Sequence, residues 1–532
     1  TLQEYPRPQL VRSQWLNLNG LWDYAICPVK EAQPKTMQGK ILVPFAVESA
    51  LSGVGKQVGQ DNNLWYSRNF AVPAAWKGKR VMLRFGAVDW RCEVFVNGKS
   101  VGKHQGGYCP FGLDITDALK NNGKEELVVQ VWDPTNKGLP PCGKQTWNPG
   151  GIFYTSVTGI WQTVWLEPVS ETYIEKITPV ATLNQAKKDF ATFNIRVAES
   201  EPGDKIRVTG TYAGKAEELL LTVDNQKASG TMVWKKGTLK YWTPDTPQLY
   251  PVKFELLRNG KVIDQAESYF ALRKISLGKT PDGIVRMLLN DEFLFQHGPL
   301  DQGWWPDGLY TAPTDEALAF DLVMTKKLGF NMLRKHVKVE SDRFYYHCDR
   351  LGVLVWQDMP SCGDRSRFIR VFKPDATTPK EAASVYDREY RELLDTKGFF
   401  PSIIMWVPFN EGWCQFDTVR ISELTKRLDP TRLVNNTSGW TDRYCGDVCD
   451  THAYPGPAMT YPETNRAVVL GEYGGLGLPV KGHSWNEKGK NWGYVRFTDK
   501  DALFKKYEDL NVNLRPLIVK GLSAAIYTQT TD

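Results

Sequence analysis

Two glutamates in the C-terminal half of the chain have neighbours that suggest chemistry. Glu411 follows the apolar run SIIMWVPFN and precedes Gly412 and Trp413, whereas Glu472 lies within the run AVVLGEYGG. A single glutamate at the end of a strand usually forms a surface salt bridge. Two glutamates in aromatic and glycine-rich surroundings instead predict a pair of acids that share one pocket. Paired carboxyl groups hydrolyse glycosidic bonds: one protonates the leaving oxygen, and the other attacks the anomeric carbon or activates water.

The distance between two such carboxyl groups decides how the reaction proceeds. Like charges in one dry site push their pKa values apart, so that one group is protonated while the other is ionised. A separation of about 5–5.5 Å gives retention through a covalent intermediate, and about 6.5–9.5 Å gives inversion. The sequence leaves this distance open.

The elements that would position these glutamates are short apolar runs that alternate with helical segments after Lys274. Eight strand candidates run from EFLFQHG to GLSAAIYTQT, with predicted helices between them such as TDEALAFDLVMTKKLG, which Thr314 caps. Strand–helix alternation predicts parallel strands, because parallel crossovers usually contain a helix. Eight units in about 250 residues match a (β/α)8 TIM barrel, whose active site lies at the carboxyl ends of the strands. Glu411 would follow the fourth strand and Glu472 would end the seventh.

The end of this barrel departs from the usual pattern. A closed barrel normally has a helix after its eighth strand, but here that strand candidate ends near Tyr527, close to the last residue, Asp532. We therefore expect the catalytic barrel, residues 273–532, to be truncated after the eighth strand; either the natural chain continues past Asp532, or the covering element comes from elsewhere.

The first half of the chain has the pattern of antiparallel sheets. In residues 1–170, alternating segments are separated by turn signals, such as Asn97-Gly98 between two apolar runs. This part predicts a jelly-roll β-sandwich. Residues 171–272 contain shorter strands at intervals of about 8–12 residues, which predict an immunoglobulin-like β-sandwich. The predicted fold is therefore multidomain, with two β-sandwiches followed by a barrel.

The composition excludes several classes of protein. With 42% hydrophobic and 24% charged residues among 532, the chain is neither wholly disordered nor fibrous. No apolar run reaches the roughly 18 residues of a membrane-spanning helix. The net charge of +6 is spread without a dense basic block, so we predict no nucleic-acid partner. We predict no cofactor and no metal. The start at Thr1 without Met suggests a periplasmic or secreted protein, and self-association into a homo-oligomer stays open.

Together these motifs resemble glycoside hydrolase family 2, the family of β-galactosidases, β-glucuronidases and β-mannosidases. The resemblance covers essentially the whole chain in the expected order. It includes VFVNGKSVGKHQGGYCPFGLDIT in the first domain and NMLRKHVKVESDRFYYHCDRLGVLVWQDMP at the second and third barrel strands. It implies a sugar-binding-like jelly roll, an immunoglobulin-like sandwich and a catalytic barrel. It also implies a retaining exo-β-glycosidase that acts on an oligosaccharide or glycoconjugate.

The resemblance assigns roles to individual residues. Glu411 resembles the general acid/base, Glu472 the nucleophile, and Asn410 the asparagine that hydrogen-bonds the sugar 2-hydroxyl. Arg334 is expected to hydrogen-bond Glu472 and keep it ionised, because a nearby cation lowers the pKa of a carboxylate; an ion pair at the barrel bottom is the alternative. The other substrate-binding candidates, for which an ordinary structural role is the alternative, are His336, Tyr454, Asp358, His452 and Trp440.

The sugar is less well defined than the reaction. We expect β-galactosidase-like specificity, with a β-glucuronidase, a β-mannosidase or a non-catalytic carbohydrate-binding protein as alternatives. The β-glucuronidases of the family bind the substrate carboxylate through an Asn-x-Lys pair beyond the eighth strand. Asn486 and Lys488 form a similar pair, but they follow Glu472 closely, in the loop after the seventh strand. This position does not match, although the loop is expected to line the pocket because it also carries Trp485 and Trp492.

Overall fold

The computed structural model describes residues 1–138, 140–183, 188–361, 368–369, 373–484 and 493–529. Two antiparallel sheets form the N-terminal part, with short 3-10 turns at Ala74–Trp76 and Thr116–Ala118. The first sheet contains, in spatial order, Gly39–Val43, Gly20–Pro28, Asn62–Phe70, Glu125–Trp132, Arg91–Val96 and Lys99–Gln105. The second contains Leu16–Asn17, Val164–Val169, Arg80–Phe85 and Phe111–Asp114, and Val88–Asp89 pairs separately with Gly159–Ile160.

Alternation of apolar and polar residues explains this sandwich. In Arg91–Val96 every second side chain is buried, so Cys92, Val94 and Val96 face a core shared by the two sheets. The strand continues through Asn97 and Gly98, both with positive φ (53° and 80°), into Lys99–Gln105. Positive φ at both positions is what a tight hairpin turn needs, so the Asn-Gly hairpin predicted from the sequence is confirmed.

A second sandwich follows along the chain. One sheet contains Tyr173–Leu183, Lys188–Ala198 and Lys227–Lys235, and the other contains Lys215–Thr222, Lys205–Tyr212, Tyr250–Arg258 and Lys261–Phe270. Phe193 of the first sheet packs edge-on against Phe254 and Phe270 of the second, and these rings form the centre of a separate core. A small antiparallel sheet of Ile275–Lys279, Val285–Leu289 and Glu292–Phe293 leads into the barrel.

Eight parallel strands form the barrel, in agreement with the predicted fold class. In chain order they are β1 (Gln296–Asp301), β2 (Met332–Lys335), β3 (Leu354–Asp358), β4 (Ile403–Val407), β5 (Leu433–Val434), β6 (Val448–Ala453), β7 (Ala467–Gly474) and β8 (Leu522–Thr528). Hydrogen bonds join them in the order β5-β4-β3-β2-β1-β8-β7-β6. The ring is therefore nearly closed, with β5 and β6 at the seam. Leu300, Met332, Trp356, Met405 and Val469 are among the side chains of its interior core.

The helices lie at the positions that the sequence predicts. They are α1 (Asp315–Lys327), α2 (Asp342–Leu351), α3 (Lys380–Lys397), α4 (Thr418–Leu428) and α5 (Lys500–Lys520). The Thr314 hydroxyl accepts a hydrogen bond from the Ala317 backbone and so caps α1, as expected. None of the helices in the described ranges is long and apolar enough to cross a bilayer.

Strand–helix alternation is incomplete on one side of the barrel. The chain passes from β5 to β6 through residues 435–447, and from β6 to β7 through residues 454–466, without forming a helix. A short β-strand pair, Leu476–Gly477 with Val495–Arg496, follows β7. These connections leave the carboxyl ends of β6 and β7 next to loops that carry polar side chains.

Candidate active site

Glu411 and Glu472 meet at the carboxyl ends of the barrel strands. Glu411 lies just beyond β4 with a positive φ of 50°, and its backbone N–H donates to the Ser438 carbonyl at 2.8 Å. Glu472 lies within β7 and is buried. One carboxylate oxygen of Glu411 and one of Glu472 lie within 4.8 Å of each other. The two carboxyl groups therefore share one pocket, as the barrel rule predicts.

Arg334, at the end of β2, joins the residues around Glu472. Its Nε and Nη2 donate to the two carboxylate oxygens of Asp358 at 3.0 and 2.8 Å. Nη1 donates to Oε1 of Glu472 at 3.1 Å, and Nη2 also donates to Oδ1 of Asn410 at 2.8 Å. The Arg334 side chain is fully buried. The contact expected between Arg334 and Glu472 is present, and the arginine lies at the carboxyl end of the strands, not at the barrel bottom.

The charge on Glu472 is stabilised despite its burial. Burial alone would raise the pKa of this carboxyl group. The neighbouring His452 and Arg334, together with a hydrogen bond from the Tyr454 hydroxyl, outweigh burial and hold the pKa of Glu472 well below its ordinary value. Glu472 is therefore ionised at neutral pH, which is the state that a nucleophile requires.

His452 and Tyr454 reach the two glutamates from the end of β6. Nδ1 of His452 lies 2.7 Å from Oε1 of Glu411 and 3.6 Å from Oε2 of Glu472. The Tyr454 hydroxyl donates to Glu472 and lies 3.0 Å from the Thr528 hydroxyl, while its ring stacks on Tyr494 with centroids 3.6 Å apart. His452 and Tyr454 thus place an imidazole and a phenol beside the acid pair.

Asn410 and His336 present polar atoms to the pocket. Arg334 fixes Oδ1 of Asn410, whereas its buried Nδ2 has no hydrogen-bond partner among the described residues. Nδ1 of His336 lies 3.0 Å from Asp358. Burial, followed by the charges of Lys144 and Arg334, lowers the pKa of His336 well below its ordinary value, so this imidazole is neutral. Both residues offer neutral groups for hydrogen bonds to a sugar hydroxyl.

The pocket is lined by side chains of the N-terminal sandwich as well as of the barrel. Lys144, Ile152 and Tyr154 come from a loop of the N-terminal sandwich. The sequence did not predict that this loop lines the pocket. This loop has no alternating pattern, and nothing local in PPCGKQTWNPGGIFY indicates that it reaches the barrel. The remaining lining residues outside the catalytic set are Gly151, Leu300, Gln302, Trp413, Tyr494, Thr528 and Gln529.

Several of the predicted site residues lie away from the pocket wall. Asp358 is almost fully buried against Arg334 and His336, and the His452 side chain is fully buried behind the glutamates. Trp440 is 42% exposed and its ring packs edge-on against His452, so it is neither a core residue nor part of the pocket lining. These three contact other site residues instead of lining the cavity. Trp485, Asn486, Lys488 and Trp492 lie outside the described residues.

Comparison with known proteins agrees with this architecture. Residues 44–158 match the model "Glycosyl hydrolases family 2, sugar binding domain", and residues 172–273 match "Glycosyl hydrolases family 2". Residues 311–475 match "Glycosyl hydrolases family 2, TIM barrel domain". The fold and the sequence therefore indicate the same class of protein, a multidomain barrel protein with two acids at the ends of β4 and β7. The chain belongs to glycoside hydrolase family 2.

Individual relatives are distant. The chain is 26% identical over 384 residues to a β-galactosidase of Thermoanaerobacter pseudethanolicus, which covers 69% of this chain and 47% of the relative. It is 24% identical over 465 residues to a β-glucuronidase of Paenibacillus borealis, covering 81% of this chain and 74% of the relative. The chain thus spans about half the length of the first of these relatives.

A solved structure resembles the whole described fold. The structure of Bifidobacterium dentium β-glucuronidase complexed with coumarin-3-O-glucuronide has a TM-score of 0.76 at 18% identity. The match covers 100% of this chain and 93% of the other. At this identity the likeness concerns the fold.

Proposed function

We propose that this chain is a retaining exo-β-glycosidase that removes a terminal β-linked sugar by double displacement. The observation that carries the proposal is the approach of Glu411 and Glu472, whose nearest carboxylate oxygens lie within 4.8 Å. A separation of about 5–5.5 Å between carboxyl groups is typical of retention, and the 6.5–9.5 Å of inversion leaves room for a water molecule between them. The N-terminal loop forms part of the pocket wall, which supports binding of the terminal sugar of a substrate.

The contacts support a distinct role for each group. Glu472, ionised and held by Arg334 and Tyr454, attacks the anomeric carbon as the glycosidic bond breaks. Glu411 gives its proton to the departing oxygen, and then removes a proton from the water that releases the sugar. Nδ2 of Asn410, which has no described partner, is available to donate to the sugar 2-hydroxyl. That hydrogen bond strengthens in the transition state of such reactions.

β-Galactosides, β-glucuronides and β-mannosides are the candidate substrates. The sequence favours a β-galactoside, and relatives named β-galactosidase and β-glucuronidase are known. One structural observation favours a β-glucuronide. Among the described side chains that line the pocket, Lys144 is the one with a fixed positive charge; it is 6% exposed, and its Nζ lies 6.0 Å from the Trp413 ring centroid. A buried ammonium group at the pocket wall is suited to a sugar carboxylate.

A covalent label tests the reaction. Incubation with 2-deoxy-2-fluoro glycosyl fluorides of several sugars should add one sugar to the protein, and peptide mass spectrometry should locate it on Glu472. Glu472→Gln should remove the adduct and hydrolysis of nitrophenyl β-glycosides while the circular dichroism spectrum is unchanged. Absence of an adduct with every sugar, together with measurable sugar binding, would instead identify a non-catalytic binding protein.

A substrate panel tests the sugar. Lys144→Met should lower kcat/KM for nitrophenyl β-glucuronide by about 10-fold or more, because hydrogen bonds to charged groups are worth about 1.5–3 kcal/mol. The same variant should change kcat/KM for the neutral β-galactoside by less than about threefold. An equal loss on both substrates, or no β-glucuronide hydrolysis by the parent protein, would leave the β-galactoside as the preferred assignment.

A further inference from the structure

A chain of hydrogen bonds begins at Asp450, behind the two glutamates. Asp450 is buried in β6, and its Oδ1 accepts from the Gly471 backbone N–H at 2.7 Å. Its Oδ2 accepts from Nδ2 of Asn435 at 2.7 Å and from the Ser438 hydroxyl at 2.6 Å. Two of these donors are amides that cannot reverse their role, which favours an ionised carboxylate. Burial outweighs the neighbouring His452 and Arg334, and the pKa of Asp450 lies above its ordinary value.

This arrangement fixes the direction of the next hydrogen bond. A serine hydroxyl has one hydrogen, and that of Ser438 is directed to Asp450. Nε2 of His452 lies 2.8 Å from the same hydroxyl oxygen, so Nε2 must carry a hydrogen and donate it. Nδ1 of His452 lies 2.7 Å from Oε1 of Glu411, an oxygen that accepts when it belongs to a carboxylate or to the carbonyl of a carboxylic acid. When Glu411 is ionised, both ring nitrogens are therefore donors.

The charges around His452 agree with a cationic ring. Burial lowers the pKa of His452, but the carboxylates of Glu472, Glu411 and Asp450 outweigh burial and raise it. These three acids come from the end of β4, from β7 and from β6 itself. Arg334 on β2 is the nearby fixed cation, and Asp358 pairs with it. Three acids that are not paired with a fixed cation, Glu472, Glu411 and Asp450, thus face the ring alongside the Arg334–Asp358 pair.

Close packing holds the ring in this orientation. A Cβ atom added to Gly439 would lie 3.3 Å from Nδ1 and Cε1 of His452 and 3.3 Å from Cγ of Glu411. Gly439 has a φ of 103°, a backbone conformation that glycine adopts readily. The edge of Trp440 covers another side of the ring, with centroids 5.6 Å apart. Gly439 and Trp440 therefore pack against two sides of the imidazole.

We propose that His452 is a positioning residue held as an imidazolium between the acid/base and the nucleophile, where it stabilises the ionised form of both. The proposal rests on the roles given above to Glu411 and Glu472. In the first step Glu411 transfers its proton to the glycosidic oxygen, the C1–O bond breaks, and C1 bonds to Glu472. The imidazolium keeps its own protons and stabilises the Glu411 carboxylate that results. Once Glu472 is an uncharged ester, Glu411 is the remaining carboxylate that removes the proton from water.

A charge-removing substitution tests this role. His452→Asn keeps a donor near the position of Nδ1 and removes the positive charge. Because an opposite charge within about 4–6 Å shifts a carboxylate pKa by about 1–3 units, the acidic limb of the kcat/KM profile, where Glu472 ionises, should move to higher pH by about one unit or more. Substrates with poor leaving groups should lose about 10-fold or more in kcat, and dinitrophenyl glycosides much less. A lower profile at an unchanged pH would show a merely structural role and overturn the proposal.

A matched control and a direct measurement complete the test. His347 is also buried and has Nε2 3.0 Å from a carboxylate oxygen of Asp315, but it lies on α2, away from the pocket. His347→Asn should leave the position of the pH profile unchanged. Nitrogen-15 NMR of the histidine-labelled parent, which has six histidines, should show both His452 nitrogens protonated at pH 7. A neutral His452 would refute the proposal even if the variant fails to fold, and a missing label on Glu472 would instead refute the proposed function.

Discussion

Nη1 of Arg334 lies 3.1 Å from Oε1 of Glu472, while the other nitrogens of the same guanidinium bind both carboxylate oxygens of Asp358. One buried cation thus connects a buried acid that does not line the pocket to one that does. The planar fork of arginine is suited to this arrangement, because it can bind one carboxylate with two parallel hydrogen bonds and still reach another acceptor. The position of Glu472 therefore depends on strand β2 as well as on its own strand β7.

Removal of this cation should affect both stability and turnover. In Arg334→Met, two buried acids lose their partner, and breaking a buried ion pair in this way costs about 3–5 kcal/mol. The free energy of unfolding in urea should fall by that amount, and hydrolysis should be lost. Adding Asp358→Asn should restore part of the stability, since it removes one of the unpaired charges. Arg420→Met, which breaks an exposed pair with Asp387, should change the unfolding free energy by less than about 1 kcal/mol.

Loss of the Tyr454 hydroxyl should affect chemistry more than folding. In Tyr454→Phe the ring can still stack on Tyr494, but the donor to Glu472 is gone. Hydrogen bonds to charged groups are worth about 1.5–3 kcal/mol, so kcat/KM should fall by about 10-fold or more. The midpoint temperature of thermal unfolding should fall by only a few degrees. A kcat/KM within twofold of the parent value would mean that the hydroxyl does not support the nucleophile.

The barrel and its acid pair were predictable because the relevant signals are local. Buried parallel strands form apolar runs such as SIIMWVPFN. In a (β/α)8 barrel the residues that follow these runs all lie at the same end of the barrel. This is why Glu411 and Glu472 follow from the sequence, whereas the contact of Arg334 with Glu472 was expected from the family resemblance.

The remaining features depend on contacts between distant parts of the chain. Lys144 reaches the pocket because a loop of the N-terminal sandwich docks on the barrel, which no local pattern records. The helix-free connections on either side of β6 break the alternation that the prediction assumes. Trp440 lies on the loop after β5. The sequence does not define the path of this loop, so the exposure of Trp440 could not be predicted.

The docking of that N-terminal loop should require a glycine at position 143. Gly143 has a φ of 58°, and a Cβ atom there would lie 2.3 Å from the Val337 carbonyl oxygen. Its backbone N–H also donates to the Ser361 carbonyl at 2.8 Å. Gly143→Ala should therefore displace the loop that carries Lys144 and reduce kcat/KM by about 10-fold or more, since a displacement of about 1 Å can cost 10²-fold.

The control for this substitution has the same backbone conformation without the contact. Gly55 has a φ of 65°, and an added Cβ there would meet nothing within 4 Å. Gly55→Ala should lower the stability measured by thermal unfolding by the same roughly 1–2 kcal/mol of backbone strain. Its activity should equal that of the parent. Equal activity of the two variants would show that the close approach at Gly143 does not position the pocket wall.

Stability at alkaline pH should depend on Glu389, where α3 meets the N-terminal sandwich. Oε1 of Glu389 accepts from the Trp90 indole at 2.8 Å, and burial raises the pKa of Glu389 to about 8. A carboxyl group with a raised folded-state pKa stabilises the fold fully below its ordinary value near 4.5, and this contribution is lost as pH rises through about 8. The parent protein should thus lose stability between pH 6 and pH 9.

Glu389→Gln keeps an acceptor for Trp90 and cannot ionise. Urea unfolding of both proteins at pH 6 and pH 9 measures the effect, because the other buried acids are present in both and cancel in the difference. The variant should gain roughly 1–3 kcal/mol relative to the parent at pH 9 compared with pH 6, given about 1.4 kcal/mol for each pH unit between pH 6 and the folded-state pKa of about 8, less some relaxation of the site. A difference that is the same at both pH values would mean that Glu389 titrates normally and that water reaches this interface.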